Sequence, residues 1–164
     1  MDDKHNLVVD FDLTNKYDFN ALATVAKNES LTSLSDKGYY FGKQIAACTE
    51  DNIQTLVSPI SKGSKSKDPR VSKNQFEYNK SKDNYTCPKD VTLHRQGKLY
   101  NRKDGISYTR YVAHWSECKS CPWVDIRVSA GSQKAKRGRM LNRSIYDDHL
   151  EENYARVSAR KYEY

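Results

Sequence analysis

The sequence lacks any apolar run near the roughly 20 residues that a helix needs to cross a bilayer, which excludes a helical membrane span. It opens on Met1-Asp2-Asp3-Lys4-His5-Asn6, which is acidic and polar and does not read as a secretory leader. Hydrophobic residues are scarce at 37% against 30% charged, a thin core for 164 residues, though not so thin that it dictates disorder. Cysteine is sparse too: there are four, and only Cys118 and Cys121 are close together. Few cysteines without a leader suggest reduced thiols, with a metal as the alternative to disulfides. These absences lead us to expect a cytoplasmic protein with no membrane partner.

What the chain does have is positive charge, unevenly spread. Residues 1–58 carry 5 basic and 9 acidic side chains, a balance of −4, whereas residues 59–164 carry 23 and 12, a balance of +11. The first part reads as an acidic core able to hold a metal. The second reads as a surface for a polyanion, most simply DNA phosphates, against the plainer alternative of solvated lysine-rich loops.

The stretch Leu31 to Ser58 organises the rest. Leu31–Ser35 has strand composition, Asp36 follows at once, and a helix comes next with Ile45, Ala46, Cys48 and Thr49 along one side. Ile53–Ser58 closes the unit as a second strand, which a crossover helix returns parallel to the first. Ligands gather outside the carboxyl ends of such strands, so Asp36 is a candidate metal ligand. Its plainer role is to cap the next turn.

Before this unit, Leu7–Leu13 reads as a strand with Val9, Phe11 and Leu13 on one face and Asp10 and Asp12 on the other. It is entered from a turn at the N-terminus, so the chain is expected to begin within a hairpin. Asp18 suits the cap of a helix over 19–28. Residues 59–84, rich in Ser, Lys, Asn and Pro, read as a linker in which Phe76 and Tyr78 alternate like a short strand. Residues 85–130 then offer short strands over 85–88, 91–95, 97–100 and 106–112, with a hairpin signal at Asp104-Gly105.

Cys118-Lys119-Ser120-Cys121 has the spacing to grip one tetrahedral zinc, and Cys87 can supply a third thiolate. A closed site needs a fourth ligand, and the spacing does not choose among His94, His114 and Cys48. Lys134, Lys136, Arg137, Arg139 and Arg143 form the densest basic run, kept flexible by Gly131 and Gly138, and are the candidate DNA contacts. Of the nearby aromatics Tyr100, Tyr108, Tyr111 and Trp115, most read as the small subdomain's own core. The last segment reads as a helix capped by Ser144 with Asp147 three residues on, acidic at its start, basic at its end, and with Tyr146, Leu150, Tyr154 and Val157 on one face.

Five blocks in order (KHNLVVDFDLTN, SDKGYYFGKQIAAC, TCPKDVTLHRQGKLY, CKSCPWVDIRVSAGSQKAKRGRMLNRSIYDD and ENYARVSARK) resemble the DDE transposases of bacterial insertion sequences, in particular those with a cysteine-bearing insertion. The resemblance covers essentially the whole chain. It implies an α/β fold: a partial RNase H-like core over 1–58, a linker over 59–84, a β-rich insertion over 85–130, and a basic run with a C-terminal helix over 131–164 that returns to the core. It implies Mg²⁺-dependent DNA strand cleavage and transfer, with three carboxylates holding two ions, and action as a homo-oligomer on DNA ends. Asp36 matches the second aspartate. The first is expected on an earlier strand and the glutamate on a helix beyond the last residue. The fourth zinc-binding cysteine of the resembling proteins matches Arg127, whose guanidinium opposes a metal. Phe41 stands where those proteins favour a small polar cap. The chain is therefore expected to be a decayed, inactive piece of a transposase, with two rivals. One is a stand-alone zinc- and nucleic-acid-binding module. The other is a small nuclease using Asp10, Asp12 and Asp36.

Overall fold

The computed structural model describes residues 22–26, 32–60 and 72–160. The chain is mixed α/β and divides into two compact units, Met1–Ser61 with Tyr146–Tyr164, and Lys62–Ile145. The strand and helix expected over 7–13 and 19–28 lie wholly or largely outside the described residues, apart from the short helix α1 at Leu22–Val25.

The first unit is a parallel β-α-β. Strand β1 (Thr32–Ser35) leads through Asp36 and a 3₁₀ turn at Lys37–Tyr39 into helix α2 (Gly42–Glu50). Asn52, in the left-handed region at φ 59°, reverses the chain into β2 (Gln54–Val57), which pairs with β1 in the register Leu34 to Leu56. The 3.6-residue period of α2 turns Ile45 and Cys48 inward, where they meet Leu22, Ile53 and Val57. Phe41 precedes α2 without a side-chain cap.

Helix α6 (Asp147–Arg160) packs on both α2 and β2. Ser144, expected as its cap, is the last residue of a strand instead, and the Tyr146 carbonyl receives the helical bond from Leu150 N. The buried face of α6 also differs from expectation: Tyr154 is 57% exposed, and the fully buried position is Asn153. The Asn153 amide accepts from Val57 N at 2.9 Å and donates to Val57 O at 2.8 Å. Arg156 donates to Thr55 O at 3.1 Å. One side-chain amide thus satisfies a strand residue as a neighbouring strand would, and α6 covers that edge of β2.

The second unit is an antiparallel sheet of β3 (Glu77–Asn79), β4 (Asn84–Thr86), β5 (Thr92–Asn101), β6 (Ser107–Ala113) and β7 (Met140–Ser144), in that order. The two strands expected over 91–95 and 97–100 are one, with an irregularity between Gln96 and Leu99. Asp104-Gly105 makes the expected turn, with Gly105 at φ 78°. Residues 72–79, assigned from composition to the linker, hold a 3₁₀ turn at Lys73–Gln75 and β3. Between β6 and β7 lie three short helices, α3 (Trp115–Cys118), α4 (Val124–Arg127) and α5 (Ala130–Lys134). Phe76, Tyr85, Leu93, Tyr111, Val128 and Leu141 form the core, with Trp115 packed against it. No helix among the described residues is long and apolar enough to cross a membrane.

Candidate functional site

Asp36 follows the carboxyl end of β1 and is exposed. Its Oδ1 accepts from Gly38 N at 2.7 Å, so it caps the 3₁₀ turn that leads into α2. Capping engages one oxygen and leaves the carboxylate at the strand end. Asp10 and Asp12 lie outside the described residues, and among the described residues no three His, Cys, Asp or Glu side chains form a group able to hold a metal. One carboxylate alone is a poor Mg²⁺ site, because that ion keeps its waters unless several anions converge.

The three cysteines of the second unit approach one another from separate elements. Cys87 follows β4 and heads a turn, its carbonyl accepting from Asp90 N; Cys118 ends α3; Cys121 follows in a turn, donating its backbone N–H to Cys118 O. They line a cavity of about 180 Å³ with Lys89, Arg127 and Arg139. Gly138 is held close to this wall: a Cβ there would stand 2.5 Å from Ala113 O and 2.9 Å from Cys118 Sγ. Gly138 is therefore a close-packing residue rather than the source of flexibility expected of it.

Arg127, placed by α4, is 4% exposed, and its Nη1 donates to Cys87 Sγ at 2.9 Å. The guanidinium carbon lies 4.5 Å from the centre of the Trp123 ring and 5.5 Å from that of Phe76. Lys89 Nζ lies over the same Trp123 ring at 4.5 Å. Arg139 Nη1 donates to Arg127 O at 2.7 Å. Burial first, and then the Arg127 charge, pull the Arg139 guanidinium below its ordinary value. Burial pushes the Cys118 thiol up, against the opposing effect of a hydrogen bond from the Arg139 backbone.

A cation donating to Cys87 sulfur does not suit a thiolate zinc site. Zinc needs that lone pair and repels the guanidinium beside it. His94 and His114, two of the candidate fourth ligands, face each other with rings 5.6 Å apart, and Cys48 lies in the core of the other unit. Burial first, then Asp51, push the Cys48 thiol up to about 11. The cysteine set therefore does not fit the metal that the spacing suggested.

The basic run is ordered and splits in two. Lys134 ends α5, and Lys136 N and Arg137 N donate to Gln133 O and Ser132 O at 2.9 and 2.8 Å, with Lys136 at φ 50° as a left-handed helix stop. Lys134, Lys136 and Arg137 are exposed. Arg143 is not available on that surface: it is 6% exposed, donates to Tyr85 Oη at 3.0 Å and lies 3.8 Å from the centre of the Tyr78 ring. Its place on β7 explains this, since alternate residues of a sheet strand face inward. Arg139, half-buried, belongs to the cavity wall. Of the four upstream aromatics, Tyr111 is buried and Trp115 packs on the core, while Tyr100 and Tyr108 stack with rings 5.6 Å apart.

Lys89, which lines the cavity, and Trp123, which lies against both Lys89 and Arg127, are residues the sequence does not single out. Their adjacency to cysteines was visible, but nothing in the spacing shows two cations sharing one indole. No family model matches the chain, and neither a curated protein nor a solved structure matches it.

Proposed function

We propose that this chain is part of a DDE transposase of the bacterial insertion-sequence type, a cytoplasmic protein acting on DNA as a homo-oligomer. In this reading the first unit is part of an RNase H-like core and the second is an insertion into it. The observation that carries the reading is an arrangement of elements. A parallel β-α-β unit ends a strand at Asp36, the chain then builds a separate antiparallel sheet, and α6 afterwards packs back on α2 and β2. That sequence of events is what an insertion into an α/β core produces, and it accompanies the five ordered blocks that resemble such enzymes.

Asp36 is then one of three carboxylates. When bound between them, Mg²⁺ would activate the attacking oxygen and stabilise the leaving one. Lys134, Lys136 and Arg137 neutralise DNA phosphates. Among the described residues Asp36 is the one carboxylate this reading assigns to the metal, and one carboxylate holds Mg²⁺ feebly, so the chain by itself is expected not to cleave DNA.

Two measurements test this. The DNA flanking the coding region is expected to encode an aspartate-bearing strand on one side and a glutamate-bearing helix on the other. The purified full chain is expected not to nick plasmid DNA at millimolar Mn²⁺. Flanks encoding neither element, together with Mn²⁺-dependent nicking that disappears in Asp36→Ala, would replace the transposase reading with that of a small, complete nuclease.

A further inference from the structure

The cavity lined by the three cysteines has a buried guanidinium, that of Arg127, in its wall. Arg127 is buried, its Nε has no hydrogen-bond partner, and no carboxylate pairs with it among the described residues. Lys89 adds a second cation to the lining, against Glu117 as an acidic lining residue. A buried charge is costly unless an opposite charge or several hydrogen bonds accompany it. The Trp123 and Phe76 rings and one sulfur are partial compensation for a guanidinium with five donors.

We propose that this cavity is a binding site for a small oxyanion, held by Arg127 and assisted by Lys89. A planar guanidinium matches two oxygens of a phosphate or carboxylate, and about 180 Å³ accommodates one such group. The place that the cysteine spacing marks for a metal cation therefore selects the opposite charge. The inference does not depend on the transposase reading, because it rests only on the second unit. A phosphate has two possible sources, the free ion and the terminal phosphate of a nucleic-acid strand.

The test uses the full chain and follows alkylation of Cys87, Cys118 and Cys121 by iodoacetamide, read peptide by peptide in a mass spectrometer. Inorganic phosphate at ten times its Kd is expected to slow alkylation of the cavity thiols roughly tenfold, while KCl of equal ionic strength leaves the rate unchanged. Arg127→Met, which removes the charge and keeps an apolar filling, is expected to abolish the protection. Lys89→Ala, at an exposed position that leaves the fold intact, is expected to raise the half-protecting concentration severalfold. Protection by phosphate identifies a free anion. Protection only by a 5′-phosphorylated oligonucleotide, and not by its 5′-hydroxyl twin, identifies a strand terminus. No protection by either, or equal protection in both Arg127→Met and Lys89→Ala, would overturn the proposal.

Discussion

Arg127 shows how one residue can reverse the chemistry of a site. Its Nη1 sits 2.9 Å from Cys87 Sγ, so three thiols with suitable spacing present a cation instead of a metal's ligand set. Replacing it by a fourth thiol removes the repulsion and adds a fourth candidate ligand. Arg127→Cys is expected to purify with about one zinc per chain, whereas the parent protein under the same conditions carries none; elemental analysis decides. Metal-free Arg127→Cys would mean that the cysteines do not converge even without the guanidinium.

Asp83 is a second residue with a readable consequence. Its Oδ1 accepts from Tyr111 Oη at 2.5 Å and from Tyr78 Oη at 2.8 Å, and its Oδ2 pairs with Arg95 at 2.7 Å. The Tyr111 hydrogen bond foremost holds the Asp83 carboxyl below its ordinary value. A depressed carboxylate stabilises the fold fully above its unfolded value of about 4, and that contribution is lost as pH falls through the depressed native value. The thermal midpoints of the parent and Asp83→Asn are therefore expected to differ at pH 7 and to converge towards pH 3. A gap independent of pH would remove the ionised carboxylate from the explanation.

At the scale of elements, Asn153 joins α6 to β2 by bonding both backbone groups of Val57. Truncating it leaves a buried N–H and C=O without partners, which costs about 1–3 kcal/mol for each group. Asn153→Ala is expected to lower the unfolding free energy of the first unit by about 2–4 kcal/mol in urea titration, while exposed Tyr154→Ala changes it by less than about 0.5 kcal/mol. Sequence reading reached the helix but not this contact. The apolar pattern nominated Tyr154 because a large ring usually faces the core, and a buried asparagine is visible only once its strand partner is known. The same limit explains Met140–Ser144. Arg143 was counted with the basic run as a DNA contact, yet alternation along β7 sends Leu141 and Arg143 inward. By contrast, the β1–α2–β2 unit was legible, since two short strand-like runs on either side of a helix-period stretch specify a parallel crossover almost locally. What was not legible was pairing at a distance: Lys89 with Trp123, Arg143 with Tyr85, Asn153 with Val57.

For the whole molecule, the charge imbalance is the property with the widest reach. The first 58 residues are acidic in balance and the remainder strongly basic, so a polyanion is attracted to one portion of the chain and repelled by the other. If the exposed Lys134, Lys136 and Arg137 each meet one DNA phosphate, their joint replacement by alanine removes about three counterion-release contacts. The slope of log K against log salt is then expected to become shallower by roughly 2.7, with little change in sequence preference. Fluorescence anisotropy across a salt series measures this. Arg143→Ala, at a buried position, is expected to affect stability and leave the slope unchanged, so an equal slope change in both variants would mean that this division of the basic residues is wrong.

The amide that closes β2 also settles the direction in which its sheet can grow. That flank of β2 is taken by α6, and among the described residues no strand pairs with the other side of β1, where Leu34 lies 77% exposed, so a further strand would add alongside β1. Whatever extends this pair of strands therefore comes to lie next to the element that ends at Asp36, bringing its own side chains beside that carboxylate.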